Sequence, residues 1–313
     1  MDISIIIPAY NEKNYIKETI SSIQQWMPNE FSYEIIVVDH GSTDGTADIA
    51  RKLNAKVING SALKTIAALR NFGVANSIGN FLFFIDADIT FSEKWSKNIG
   101  SVIASLKTND DQICGSLPQI PDSANFFVRS WFNPKSLETA PNYIGSCHLI
   151  LSRTLFVKVN GFPDHMKTSE DFTLCKNAKE LGAQINANPN LTVTHNGAPK
   201  TIKQFIKSEQ WHGLGDWTNT STILRSKAAI FTIIFIFLHI LLAVALFSTK
   251  AIYPVLLSIA CLCALSSAVK FRKYGQRHVL INTLTFYLYF LGRGLSLASA
   301  LRSKGFSKRS REN

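Results

Sequence analysis

Phe81-Leu-Phe-Phe-Ile-Asp-Ala-Asp-Ile-Thr90 decides how the rest of the chain is read. Five apolar residues in a row fit a strand of a parallel sheet, buried on both faces. The strand ends in two carboxylates, Asp86 and Asp88, with only Ala87 between them. Carboxylates at the carboxyl end of a central strand lie where open α/β sheets bind their ligands. Burying them costs free energy unless something positive compensates, and a hard divalent cation with oxygen ligands meets that need. One reading is an Asp-x-Asp that holds a cation, which in turn holds a nucleotide diphosphate. The other is a solvated turn after a strand.

The flanking sequence alternates strands and helices. Ser4–Ala9 is an apolar strand that enters a Pro/Asn turn ending at Glu12, and a helix with Ile16, Ile20 and Ile23 at helical spacing follows. A second strand, Glu34–Asp39, runs into His40-Gly-Ser-Thr-Asp-Gly45, where Ser42 or Thr43 can cap the next helix. Lys56-Val-Ile58 is a third strand. A helix bearing Ala67, Ala68, Arg70, Asn71 and Gly73 then leads to the acidic strand. Strands and helices in strict alternation predict a largely parallel sheet with right-handed crossovers.

IIIPAYNE (5–12), VVDHGSTDGT (37–46), RNFGVANSIGNFLFFIDAD (70–88), NGF (160–162) and SEDFTLCKNAKELG (169–182) resemble, in order, the blocks of a family 2 glycosyltransferase with a GT-A fold, that is, a Rossmann-like α/β fold with a mostly parallel sheet and helices on both faces. The resemblance covers about residues 3–197. It implies that Asp39 and the Pro8–Glu12 turn, with Pro8, Ala9, Tyr10 and Glu12, bind the nucleotide of a sugar donor. As a residue, Asp39 can also serve as a helix-cap or turn acid. Many relatives carry a second acid where this chain has His40, so UDP- and GDP-linked donors both stay open. Arg70 is placed either to pair with the diphosphate or to hold the acids of the Asp-Ala-Asp loop, unless it is a plain surface arginine.

The same resemblance makes Asp88 a ligand of Mn²⁺ or Mg²⁺, with Asp86 as a second ligand or in contact with the ribose or a cation-bound water, and with Ala87 at the nucleotide sugar. His195, in Thr192-Val-Thr-His-Asn-Gly197, falls where relatives place a histidine near the metal. Ser169-Glu170-Asp171 precedes a helix, and two acids there complement the helix dipole. The resemblance makes Asp171 the general base that deprotonates the acceptor hydroxyl and Glu170 an orienting residue. One base and one cation-held leaving group imply direct displacement with inversion. Phe126, Phe127, Trp131, Phe132 and Tyr143 lie between these blocks and read as an acceptor-facing loop or as local core.

The last third has another character. Residues 228–248 and 251–269 carry no charge, and each is long enough to span the hydrocarbon core. The connection 270–278 carries four Lys/Arg and is expected on the cytoplasmic side, together with the catalytic domain. Segment 279–301 contains Gly292-Arg-Gly294, an interruption that leaves two readings: an embedded pair of short helices, or a third span that would bury Arg293 and put the basic tail outside. Residues 201–227 resemble an interfacial amphipathic helix and linker that holds the catalytic domain at the bilayer surface. The expected division is thus a catalytic domain over 1–200, that interfacial segment, a membrane domain over 228–301, and a basic cytoplasmic tail over 302–313.

Net charge is +11, and anionic headgroups account for it better than nucleic acid, for which no motif occurs. The first residues read as a strand rather than a signal peptide. Five cysteines without metal or disulfide spacing fit a reducing compartment. The expectation is a membrane-anchored inverting glycosyltransferase of the cell envelope, acting on a lipid or lipid-linked acceptor at the cytoplasmic face of the cell membrane. The alternatives are a polyprenyl-phosphate sugar synthase and an inactive relative that serves as a membrane scaffold.

Overall fold

A computed structural model describes residues 1–132, 141–166, 168–247, 249–272 and 279–309. Most of the basic 270–278 connection and the end of the basic tail therefore lie outside the described residues. Two compact units divide the chain: Met1–Pro121 with Lys135–Ala198, and Asp122–Pro134 with Pro199–Asn313.

In the first unit β1 (Ile3–Ala9), β2 (Tyr33–Asp39), β3 (Lys56–Asn59) and β4 (Phe81–Ile85) run parallel, joined by α1 (Ile16–Trp26), α2 (Thr46–Lys52) and α3 (Ile66–Ala75). The short β5 (Ile89–Thr90), α4 (Glu93–Thr108) and β6 (Gln112–Gly115) follow. After α5 (Phe126–Phe132), which belongs to the second unit, come β7 (His148–Ser152), α6 (Arg153–Lys158), α7 (Glu170–Glu180), β8 (Gln184–Ala187) and β9 (Thr194–His195). The main sheet has the order β3-β2-β1-β4-β7-β6-β8 and is parallel apart from β7, which runs against both neighbours.

Both faces of this sheet are covered, which explains the unbroken apolar runs. Ile3, Ile5, Ile7, Phe83 and Ile85 point to one face and pack under α1 and α4. Ile6, Ile36, Val38, Leu82 and Phe84 point to the other, under α3, α6 and α7. Alternation at period two feeds two cores from the same strands. Each fully buried side chain of this size stabilises the fold by about 1.5–3 kcal/mol. Gly73 lets α3 approach β1, because a Cβ there would overlap Ile6.

A polar chain crosses one core. Trp95 Nε1 donates to His148 Nε2 at 3.0 Å, and the other ring nitrogen of His148 meets Ser116 Oγ at 2.8 Å. Ser116 gives its own proton to the Leu191 carbonyl, so His148 is neutral and donates from Nδ1. Burial pushes the pKa of His148 down to about 3.

The second unit is helical: α5, α8 (Ile202–His212), a 3-10 turn (Gly213–Trp217), α9 (Thr220–Arg225), α10 (Lys227–Ala245), α11 (Thr249–Phe271) and α12 (Val279–Arg309). Three segments, Lys227–Ala245, Ala251–Phe271 and Leu280–Arg302, are long and apolar enough to cross a membrane. Trp131 packs among Phe205, Phe286 and Tyr289 with ring centroids 4.9–5.5 Å apart, so it is core of this unit. α12 is continuous through Gly292-Arg-Gly294, where the sequence predicts an interruption. Arg293 is neutralised by Glu209 at 3.1 Å and Asp216 at 2.8 Å. Gly292 leaves room for α8, since a Cβ there would stand 2.8 Å from the Ile206 carbonyl oxygen. Gly292 marks a close helix crossing rather than a helix end, while a Cβ at Gly294 would meet only Ile236 of α10 at 3.7 Å.

Candidate active site

The acids sit where β4 ends. Asp86 and Asp88 flank the buried Ala87, whose carbonyl accepts the Thr19 hydroxyl of α1 at 2.7 Å. That bond pins the turn from below. β5 pairs antiparallel with β9, opposing Ile89 to His195, and this brings His195 Nε2 within 2.9 Å of Asp88 Oδ2. The Gly197 backbone lies against the same carboxylate, where a Cβ would collide with it.

Arg70 is 1% exposed and sits on α3 beneath the turn. Its guanidinium donates from Nη2 to Asp86 Oδ1 and from Nη1 to Glu170 Oε1, each at 2.8 Å. Of the roles the sequence leaves open to Arg70, holding the acid loop matches this geometry. The same side chain grips the first turn of α7. Ser169, before that turn, has a left-handed backbone (φ 66°), a conformation that costs a non-glycine residue about 1 kcal/mol or more. Asp171 follows, accepting from the backbone N–H of Phe172 at 2.7 Å and of Ser146 at 3.4 Å.

The electrostatics separate these acids. Burial, reinforced by the Glu170 charge, raises Asp171 to about 6. Burial and the charges of Asp88, Asp86 and Asp44 raise Glu12 to about 7. For His195 burial favours the neutral ring, but the Asp88 hydrogen bond and the surrounding carboxylates outweigh it and raise its pKa.

The expected nucleotide edge is formed by two clipped loops. Asn11, with φ 56°, donates its N–H to Ser42 Oγ and accepts from the Thr43 N–H, both at 2.9 Å. The N–H groups of Glu12 and Lys13 donate to Thr46 and Asp44. Asp39 accepts from the Ser42 N–H at 3.2 Å. His40 donates from Nε2 to the Leu63 carbonyl at 2.8 Å and packs edge-on against Tyr10, so it works as a clip between loops. Pro8 and Ala9 have buried side chains, and Tyr10 is 57% exposed.

Sequence reading missed Cys147. The β4–β7 pairing opposes Ile85 to His148, and Asp86 N–H donates to the Cys147 carbonyl at 3.3 Å. Burial, with Asp86 and Asp171 nearby, pushes the thiol well above its usual range. Nothing local marks this residue, because antiparallel pairing with a strand more than sixty positions away puts it there.

A divalent cation fits this arrangement. Asp88 Oδ1 is buried without a hydrogen-bond partner, while Oδ2 is shared with His195. An orphaned carboxylate oxygen beside an imidazole offers two donors of the kind Mn²⁺ accepts. No group of three or more His, Cys, Asp or Glu side chains is arranged for a metal among the described residues. The remaining coordination would fall to phosphate oxygens and water.

Known proteins share this architecture. Residues 4–160 match the model of glycosyl transferase family 2. The chain is 28% identical over 193 residues to the glycosyltransferase AglE of Haloferax volcanii, covering 58% of this chain and 63% of that one. It is 37% identical over 238 residues to the poly(ribitol-phosphate) beta-glucosyltransferase of Bacillus spizizenii, covering 68% and 35%. The matched region thus spans less than two thirds of the length of these curated relatives. The mannosyltransferase PcManGT of Pyrobaculum calidifontis, solved with GDP-Man and Mn²⁺, superposes with a TM-score of 0.60 at 17% identity, covering 96% of this chain and 87% of that one. That likeness is one of fold: a GT-A-like sheet followed by C-terminal helices. On the family match and the sheet that carries it, the chain belongs to glycosyl transferase family 2.

Proposed function

We propose that this chain transfers a sugar, with inversion, from a nucleotide-sugar donor to a lipid or lipid-linked acceptor at the cytoplasmic face of the cell membrane, using a divalent cation. One observation carries the reading: a single unit holds two acids in opposite roles. Asp88 has an orphaned carboxylate oxygen beside His195, and Asp171 is raised to about 6. The first suits a cation and the second suits a proton acceptor working near neutrality.

Tyr10, Glu12 and Asp39 line the edge assigned to the nucleotide. Asp88 and His195 would hold Mn²⁺ or Mg²⁺, which offsets the charge that builds on the departing diphosphate. Asp171 takes the proton of the acceptor hydroxyl. The acceptor oxygen then bonds to the anomeric carbon as the bond to the diphosphate oxygen breaks, inverting that centre in one step. Arg70 and Glu170 keep Asp86 and Asp171 in register. The three apolar helices of the second unit support a membrane-bound acceptor, which cannot leave the bilayer.

The test is nucleotide release by the full chain in detergent with native lipid extract, across UDP- and GDP-sugars with Mn²⁺ or Mg²⁺. Release with one donor, abolished by Asp88→Asn and by Asp171→Asn, is the expected result. Release that survives Asp171→Asn but not Asp88→Asn points instead to an acceptor that is already an anionic phosphate. No release and no cation-dependent donor binding overturns the enzymatic reading.

A further inference from the structure

The net positive charge of this chain resides entirely in its C-terminal part. Residues 199–313 carry sixteen Lys/Arg against three Asp/Glu, whereas residues 1–198 carry seventeen against nineteen. Two of those three acids, Glu209 and Asp216, are taken up inside the second unit by Arg293. The third, Glu312, lies outside the described residues.

The same hub anchors the chain beside two of these cations. Asp216 also accepts from Ser226 Oγ at 2.8 Å, which holds the flanking Arg225 and Lys227 at the level of Arg293. Gln210 donates to Ser299 at 3.0 Å, tying the C-terminal end of α8 to α12 six residues beyond Arg293. Lys207 precedes Gln210 by three residues and Arg302 follows Ser299 by three, while Lys203 stands one turn from Lys207. All five side chains are exposed, and none forms an ion pair with an acid among the described residues. An exposed apolar stretch starts three residues beyond Lys227, with Ile230, Phe231, Ile233, Ile234 and Phe237 exposed on α10.

Cations beside an exposed apolar stretch, with the local acids neutralised internally, match a bilayer interface rich in anionic headgroups. We propose that Lys203, Lys207, Arg225, Lys227 and Arg302 form a collar that binds the headgroup phosphates of anionic phospholipids. The helices then sit in an annulus enriched in those lipids. Arg293 keeps the collar cationic by removing Glu209 and Asp216 from it. This inference rests on the membrane reading above and adds to it a lipid class and five residues.

The test is tryptophan quenching by brominated lipids, with the full chain reconstituted in phosphatidylcholine–phosphatidylglycerol vesicles and Trp211 of α8 among the reporters. Brominated phosphatidylglycerol is expected to quench as though preferred about fivefold over brominated phosphatidylcholine. That preference falls towards unity in about 1 M salt. It also falls in the variant combining Lys203→Gln, Lys207→Gln, Arg225→Gln, Lys227→Gln and Arg302→Gln, and survives when the five are exchanged Lys for Arg and Arg for Lys. Equal quenching by the two lipids, in protein that floats with the vesicles, overturns the collar and leaves the membrane reading standing. A preference that persists in the glutamine variant overturns the assignment to these residues. If that variant does not fold, a salt-insensitive preference in the unaltered chain overturns it equally. Protein that does not float with vesicles overturns the membrane reading and the collar with it.

Discussion

Arg70 and Glu170 are 100 residues apart in the chain and 2.8 Å apart in the fold, and the same guanidinium also holds Asp86 at 2.8 Å. One buried cation thus ties the acid turn after β4 to the first turn of α7, so two loops carrying different chemical roles move as one piece. Arg70→Met leaves two carboxylates without their cation and is expected to destabilise the fold by about 3–5 kcal/mol. Arg70→Lys keeps the charge but loses the planar fork, so it can hold only one of the two acids well. Melting curves should show the Lys variant as the milder of the two, while its sugar turnover still falls about 10²-fold through misplacement of the acids. A Lys variant with normal turnover would remove Arg70 from this role.

Asp171 has to be ionised to accept a proton, and its pKa is raised to about 6 by burial and then by Glu170. Turnover is therefore expected to decline below about pH 6, with the proton count of a single group. Glu170→Gln removes one of the raising influences and should move this acidic limb to lower pH, even though it also disturbs the Arg70 bridge. Asp171→Asn should lower turnover by about 10²–10⁴-fold at any pH. The pH profile of kcat in the two variants checks both statements, and a limb that stays put in Glu170→Gln would contradict the first.

His195 has to lose its proton before it can bind a cation, and its raised pKa makes that harder as pH falls. Mn²⁺ affinity in the presence of a nucleoside diphosphate should therefore rise with pH. His195→Ala should weaken binding about 10–100-fold and flatten that dependence. Gly197→Ala should weaken it too, because the added Cβ drives into the Asp88 carboxylate. Electron paramagnetic resonance titration of free Mn²⁺ measures all three.

His148 supplies a stability test. Its pKa is held down at about 3, below the ordinary 6.5, so the folded chain keeps the ring neutral while the unfolded chain protonates it. Its contribution is fully present above about pH 6.5 and is lost as pH falls towards 3, at about 1.4 kcal/mol per pH unit. Protonation would also set a new N–H against the Trp95 donor. Thermal midpoints between pH 7 and pH 5 should fall more steeply in the unaltered chain than in His148→Asn.

In the second unit, Arg293→Met strands Glu209 and Asp216 and should cost about 3–5 kcal/mol. Adding Glu209→Gln and Asp216→Asn to that variant should restore much of the loss, because most of the penalty belongs to the uncompensated acids. A triple variant no more stable than Arg293→Met, by melting in detergent, would contradict this.

Local pattern alone determined much of this protein. The runs Ile3–Ala9 and Phe81–Ile85 are apolar at every position or nearly so, and only a strand covered on both faces accepts that, so the sheet and its acid-tipped edge are legible residue by residue. Length and hydropathy likewise expose the apolar helices, because crossing a bilayer sets a minimum number of apolar residues. The remainder was decided by pairing between distant segments, which no local period encodes. β7 runs against β4 and so brings Cys147 beside Asp86, and β9 pairs with β5 and so brings His195 to Asp88. Arg70 looks like a surface arginine until α7 folds back onto it, and Arg293 looks like a charge that should break a span. Each is stable where it lies because acids 16 to 100 residues away in the chain surround it once the core has closed, and only the tertiary structure can bring those acids there.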